Sequence, residues 1–180
     1  MPEPAVPTVS CYNTPMAFVY TQPYIVVGAF VVHEGKVLLI QENHYPDPGK
    51  WNIPAGKLDF GENIIKAVTR EAHEEAGIDF TPTGLLGIHS IYRQDVPGEV
   101  HALRIIFVGN STHAVSLSHG EPVDGKAEIS NYQWLRPDEI LTMDESYFRY
   151  HDIKPLTQNY IEGNISPLDV VRHIVQLPHA

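Results

Sequence analysis

GKLDFGENIIKAVTREAHEEAGI, residues 56–78, sets a glycine-bearing loop in front of a helix-forming run and closes that run with another glycine. Glu62 to Ala76 reads as a helix that stops at Gly77, a residue suited to the position just beyond a helix end. Glu71, Glu74 and Glu75 crowd beside Arg70 in its second half. The bland reading is a solvated face on which Arg70 and Glu74 form an ordinary i,i+4 pair. Helix geometry argues against it. At about 100° per residue, with Glu71 placed at zero, Glu75 falls at about 40° and Glu74 at about 300°. Ile64, Val68 and Ala72 fall at about 20°, 60° and 100° on the same wheel. The outward face carries Asn63, Lys66, Thr69 and His73 instead. Glu75 is therefore expected inside the apolar stripe and Glu71 at its border.

Carboxylates that are close together and half desolvated repel, and each tends to keep a proton. A cation between them removes that cost. Mg²⁺ accepts oxygen ligands and retains several waters, so two or three carboxylates on one helix suit it. No set of cysteines and histidines of the kind zinc prefers is present. Glu62 falls on the opposite side of an ideal helix from Glu71. Two readings stay open for it: a first-turn acid favoured by the helix dipole, or a group that serves the site from the frayed first turn or the preceding loop.

These residues carry a resemblance. Gly56, five residues, Glu62, seven residues, then Arg70-Glu71-Ala72-His73-Glu74-Glu75-Ala76-Gly77-Ile78 resembles the Nudix box, G-x5-E-x7-R-E-U-x-E-E-x-G-U with U aliphatic. Every fixed position matches. The resemblance implies a hydrolase of nucleoside diphosphates linked to another moiety, or of related pyrophosphates, that uses Mg²⁺ or Mn²⁺. It implies Glu71, Glu74 and Glu75 as metal ligands together with the Gly56 carbonyl, and Arg70 as the group that orients the carboxylates. Glu62 is implied to support the site or act on water. Two departures, Ala55 for a common glycine and Asp59 for a common glutamate, lie outside the fixed positions. The stretch WNIPAGKLDFGE is similar to a subgroup with WNxPAG, which includes phosphohydrolases of nucleoside di- and triphosphates and of thiamine pyrophosphate. The resemblance runs from about Tyr24 to Leu141. A homodimer, and a ligand-binding module without catalysis, are the further options it implies.

Outward from the box, Tyr24–His33 and Lys36–Gln41 are apolar, β-branched runs joined by a turn at Gly35. Asn43 to Gly61 is a long Pro- and Gly-rich loop with a short strand at Trp51–Ile53; a loop of that length in a compact domain is functional or disordered. Gly84–Tyr92, Val100–Val108 and Ile129–Leu135 read as strands. Pro137 opens a short helix, Asp152–Ile161 reads as another, and Ser166 reads as the cap of a last helix from Pro167 to about Val175. Strands, helix, strands, helices is the order of an α/β (α+β) domain, a mixed sheet sandwiched between helices, as in the Nudix fold. Residues 1–23, with five prolines, read as an irregular arm. Residues 24–180 read as one domain, with a helical C-terminal extension from about residue 142.

The later segments supply further candidates. Arg104, within the apolar run HALRIIFVG, is expected either to clamp phosphate or to snorkel to the sheet edge. Trp51 and Tyr92, with Tyr24 and Tyr45, are candidates for stacking a substrate ring, although strand aromatics more often fill cores. His44 and His151 are weaker candidates for phosphate contact. Glu128 stands where relatives carry an extra acidic ligand and is a candidate base, with Glu121 and Asp124 nearby; ordinary loop charge explains all three equally well.

The formal net charge of -10 disfavours a nucleic-acid polymer as partner. It leaves small phosphorylated substrates open, because a divalent cation bridges anions. The single cysteine, Cys11, allows no intrachain disulfide, which fits a cytoplasmic location. No apolar run approaches membrane-spanning length, and no secretory leader is expected.

Overall fold

The computed structural model describes residues 23–43, 46–96, 100–111 and 129–176. β1 (Tyr24–His33) and β2 (Lys36–Glu42) form the expected hairpin. Its two-residue turn places Glu34 at φ 48° and Gly35 at φ 73°, the pair of positive values that a type I′ turn requires and that matches strand twist. β3 (Trp51–Asn52) and β4 (Ala55–Lys57) follow, then α1 (Ile64–Ala76), β5 (Phe80–Arg93), β6 (Val100–Ser111) and β7 (Ile129–Leu135). α2 (Pro137–Thr142), α3 (Ile153–Glu162) and a two-residue β8 (Ser166–Pro167) complete the elements, with single 3₁₀ turns at Glu145–Tyr147 and Leu168–Val170.

One 8-stranded sheet runs β3-β2-β1-β6-β5-β8, with β4 also paired to β1 and β7 to β2. β1 and β6 are parallel in the centre; the other strand pairs are antiparallel. Strand side chains alternate between faces, so the sheet has two cores. Val27, Ala29, Val31, Leu38 and Ile40 pack with Ala67, Val68, Ala72 and Ala76 of α1. Phe30, Val32, Val37 and Leu39 pack with Ile140, Ile153 and Leu156 of α2 and α3. This is the mixed sheet between helix layers that the sequence implied. Among the described residues no helix is long and apolar enough to cross a membrane.

Several boundaries move. α1 begins at Ile64, not Glu62, because the Asn63 side chain accepts from the backbone N–H groups of Ile65 and Lys66 and caps the helix. Gly77 closes it at φ 63°, as expected. β5 and β6 are longer than expected, and the loop before α1 contains β4 as well as β3. The helix expected from Pro167 to about Val175 is not formed. Ser166 and Pro167 instead pair with Leu85 and Gly84 of β5, while Leu168 and Val171 pack on the α1 side of the sheet. The exposed edge of β5 offers backbone hydrogen bonds that outweigh a local Ser-Pro cap signal. Gly84 permits the approach, since a Cβ there would strike Ile165 and press on the Ser166 carbonyl.

Candidate active site

The site lies where the β1–β2 hairpin splits. β2 pairs with β1 at the turn end, Val32 with Val37 and His33 with Lys36. At the other end β4 takes the same edge of β1, setting Gly56 opposite Val27. The Ala29 N–H donates to the Pro54 carbonyl (2.8 Å) and the Leu58 N–H to the Ile25 carbonyl (3.1 Å), which ties this loop to the sheet. α1 then crosses above β4. Gly56 comes so close to α1 that a Cβ on it would collide with the Glu71 carboxylate. The Gly56 backbone and the Glu71 carboxylate are thereby held against each other, and only a residue without a side chain permits it.

Arg70 gathers the acids. Its Nε and NH2 donate to the two oxygens of Glu62 at 3.0 Å each. NH1 donates to Glu71 Oε1 (2.7 Å) and to Glu74 Oε2 (3.0 Å), and NH2 to the Lys57 carbonyl (3.2 Å). Glu62 thus reaches the cluster from the residue before the Asn63 cap, which settles the geometry left open above: it is outside the helix and paired with Arg70. The Glu75 carboxylate accepts from the Ala55 N–H at 2.7 Å. The Tyr132 hydroxyl donates to the Glu75 carbonyl (2.6 Å), fastening the end of α1 to β7.

Burial ranks the three helical glutamates differently from the helical wheel. Glu71 is 8% exposed, Glu75 is half-buried and Glu74 is exposed. The sheet-facing line of α1 passes through Val68, Glu71 and Ala72, while the Ala55 N–H draws Glu75 toward β4. Burial pushes the Glu71 carboxyl above its usual range, against the pull of Arg70. Arg70 holds Glu62 below the usual range, and the acids in turn hold the guanidinium well above its own. Among the described residues no three acidic, histidine or cysteine side chains stand preassembled as a metal cage. The positive charge at the centre of the cluster is that of Arg70.

The cleft beside this cluster is a cavity of about 360 Å³ lined by Tyr24, Glu42, Asn52, Ala55, Gly56, Lys57, Asp59, Glu71, Glu75, Arg149 and Tyr150. A second cavity of about 390 Å³ adjoins it, lined by Ser90, Ile91, Tyr92, Arg93, Asp95, Arg149, Tyr150 and His151. Arg149 and Tyr150 belong to both walls. Sequence reading passed over them, although FRYHD, a cation followed by an aromatic and a histidine in a connecting loop, was the available signal.

The other candidates fall in different places. Tyr24 lines the first cavity; Tyr92 and His151 line the second. Trp51 lines neither and packs against the core on the α2–α3 side. Arg104 neither clamps phosphate nor snorkels: it is 0% exposed. Its NH1 donates to Asp152 Oδ1 (2.8 Å) and its NH2 to Asn52 Oδ1 (3.1 Å). Arg104 comes from a central strand with a sheet neighbour on each side, so its side chain had to find a buried carboxylate rather than an edge. Asn52 in turn donates to Glu42 at 2.5 Å, so the buried network ends in the cleft wall. His44, Tyr45, Glu121, Asp124, Glu128 and the arm with Cys11 lie outside the described residues.

Comparison with known proteins finds similar chains in sequence and in fold. Residues 23–155 match the NUDIX domain family model. The chain is 42% identical over 65 residues to the 8-oxo-dGDP phosphatase NUDT18 of Homo sapiens, covering 36% of this chain and 20% of that protein. The chain therefore spans only a small part of that relative's length. It is 27% identical over 150 residues to the phosphatase NudJ of Escherichia coli, covering 83% of this chain and 91% of that one. A NUDIX hydrolase from Nitrosomonas europaea superposes with a TM-score of 0.72 at 29% identity, covering 85% of this chain and 98% of that chain.

Proposed function

The chain belongs to the NUDIX domain family, and from that premise we infer that it is a divalent-cation-dependent hydrolase of a pyrophosphate bond in a small nucleotide-like substrate. One observation carries the reading: Glu62, Glu71 and Glu74 are drawn around Arg70, and the Glu71 carboxylate lies against the side-chain-free Gly56. Such a cluster is costly as mere structure, because Glu71 is desolvated and its charge only partly compensated. The donors are all oxygens, which fits Mg²⁺ or Mn²⁺ rather than a softer ion. Glu71, Glu74, Glu75 and the Gly56 carbonyl would hold the ion. When bound, it neutralises phosphoryl oxygens and acidifies a water ligand.

The chain's own residues do the rest. Arg70 fixes the rotamers of the acids before substrate arrives, which is positioning in advance of reaction. Glu62 is a poor proton acceptor, since Arg70 keeps it ionised; its work is to hold Arg70. Lys57, in the cleft wall, places positive charge where anionic substrate enters. The proton released by the attacking water passes to a carboxylate of the cleft. Support for a nucleoside diphosphate comes from the name of NUDT18, an 8-oxo-dGDP phosphatase.

The test is phosphate release from a panel of nucleoside di- and triphosphates, nucleotide sugars and thiamine pyrophosphate in Mg²⁺, with and without added inorganic pyrophosphatase. Dependence on that enzyme distinguishes loss of pyrophosphate from loss of phosphate. Glu74→Gln and Glu75→Gln each lower turnover by about 100-fold or more, the scale for removing a group that stabilises transition-state charge, with Tm little changed. Near-normal rates in both would remove these residues from the ligand set. Full activity after chelation would remove the cation from the mechanism.

A further inference from the structure

The end of α1 is held from a distant strand. A helix leaves its last four carbonyls without an intrahelical partner. The Gly77 N–H takes the His73 carbonyl at 2.8 Å. The Glu75 carbonyl takes the Tyr132 hydroxyl at 2.6 Å, from a residue 57 positions later in the chain. The carboxylate of the same glutamate accepts from the Ala55 N–H at 2.7 Å. Glu75 is therefore pinned at both ends, its backbone by β7 and its side chain by β4.

Local features of β7 aim Tyr132 at that carbonyl. Tyr132 stands opposite Ile40 of β2 and Asn131 opposite Gln41; the register then slips, so that Glu42 faces Ile129 and Ser130 is the extra residue. A bulge bends its strand, adds twist and re-aims the side chains beside it. The Ser130 hydroxyl donates to the Gln41 carbonyl at 3.0 Å, and the Asn131 side chain accepts from the Tyr132 N–H at 2.9 Å, which secures the bulge. The Tyr132 ring packs against the core on the α1 side, and its hydroxyl carries the hold of β7 past β2 onto the helix.

The turn held in this way carries Glu74 and Glu75. Arg70 fixes Glu71 and Glu74 through their carboxylates, whereas Glu75 is fixed by Ala55 and Tyr132. Helix ends fray, and a frayed last turn would carry Glu75 away from Gly56. We propose that Tyr132 is a positioning residue for the divalent cation: its hydroxyl holds the last turn of α1 so that Glu75, with Glu74 beside it, stands ready for the ion. This rests on the cation of the hydrolase reading and adds a residue outside the box that sets how tightly the ion is held. Tyr132 itself touches neither ion nor substrate.

The test measures Mn²⁺ binding to the full chain by electron paramagnetic resonance of the free ion, which needs no turnover. Tyr132→Phe keeps the ring and removes the hydroxyl. It weakens Mn²⁺ binding about tenfold, the scale for a group that orients a ligand from outside the coordination shell, and lowers Tm by about 2–4 °C. Thr157→Val is the matched control. It removes a hydroxyl that donates to the Ile153 carbonyl at 2.8 Å in α3, on the opposite face of the sheet from α1. Its Tm falls similarly and its Mn²⁺ affinity stays that of wild type. Equal affinity in wild type and Tyr132→Phe, or equal weakening in both variants, overturns the proposal.

Turnover gives a second measure. Tyr132→Phe raises the Mg²⁺ concentration for half-maximal rate and leaves kcat at saturating Mg²⁺ near wild type, because the lost interaction serves binding. A lower kcat with unchanged half-saturation overturns the positioning role. If Tyr132→Phe does not fold, wild type still decides: Mg²⁺ shifts the Cζ resonance of Tyr132, and a resonance unmoved at saturation overturns the proposal. Mn²⁺ binding that depends on Tyr132 without turnover of any substrate fails the hydrolase reading alone. Turnover with Mn²⁺ binding indifferent to Tyr132 fails this proposal alone, and no Mn²⁺ binding in wild type fails both.

Discussion

Glu71 shows what one residue costs and does. Its carboxyl is raised by burial, so the folded protein holds that proton more tightly than the unfolded chain. A group shifted in this direction is without penalty below its unfolded pKa, and stability is lost as pH rises through its folded pKa. Glu71→Gln keeps the shape and an oxygen for Arg70 NH1 but has no charge to bury. In the absence of divalent cation the variant is expected to melt above wild type at neutral pH. The difference vanishes when both are acidified below the ordinary carboxylate range. Its turnover falls by about 100-fold or more, as for a group that acts on developing charge. Melting curves across pH check the first part; equal Tm values at neutral pH would show that Arg70 already compensates the charge. The identity of Glu71 as a site residue was legible from spacing. Its being the most buried of the three was not, because a helical wheel has no information about how α1 leans on β4.

At the level of the element, α1 is the part the sequence specified most completely. Its end is read at Gly77, which takes a left-handed conformation, whereas its start is read at Glu62 and falls instead at the Asn63 cap, whose side chain accepts two backbone N–H groups. Asn63→Ala should cost about 1 kcal/mol, read as a Tm lower by about 2–4 °C for a domain of this size. A larger loss of activity than of stability is also expected, since Glu62 is held just outside the cap and orients Arg70. An unchanged Tm would mean that the loop ties from β4 fix the helix start without the cap. The C-terminal segment is the counterexample. Ser166-Pro167 reads locally as a helix start, yet the edge of β5 captures it as a strand. Local propensity lost there to backbone groups eighty residues earlier in the chain, about as far as a pattern argument fails to see.

For the whole molecule, the buried Arg104–Asp152 pair joins the central sheet to the start of α3. With His89 beside Asp152 (3.3 Å) and Asn52 beside Arg104, it links the layer of α2 and α3 to the cleft wall. Removing one partner strands a buried charge. Asp152→Ala is expected to lose about 3–5 kcal/mol, whereas replacing both partners by apolar residues of similar volume is closer to neutral in stability. Denaturant titration of the single variant and of Arg104→Met with Asp152→Leu separates the two. Similar losses in both would show that packing around Tyr150, rather than charge, holds the layers together.

By itself the sequence determined which side chains share a face. The apolar, β-branched runs marked β1 and β2 as strands joined by a turn at Gly35, and the spacing of Glu71, Glu74 and Glu75 put the three on one arc of α1 beside Arg70. These follow from strand and helix geometry, which is local. Only the tertiary structure decided which of those groups leave water and what they then meet. It set β4 against β1 so that Gly56 underlies Glu71, buried Arg104 against an aspartate 48 residues away, and brought Arg149 and Tyr150 into the wall of the cleft. Desolvation and charge pairing depend on neighbours distant in sequence, and no periodicity encodes them.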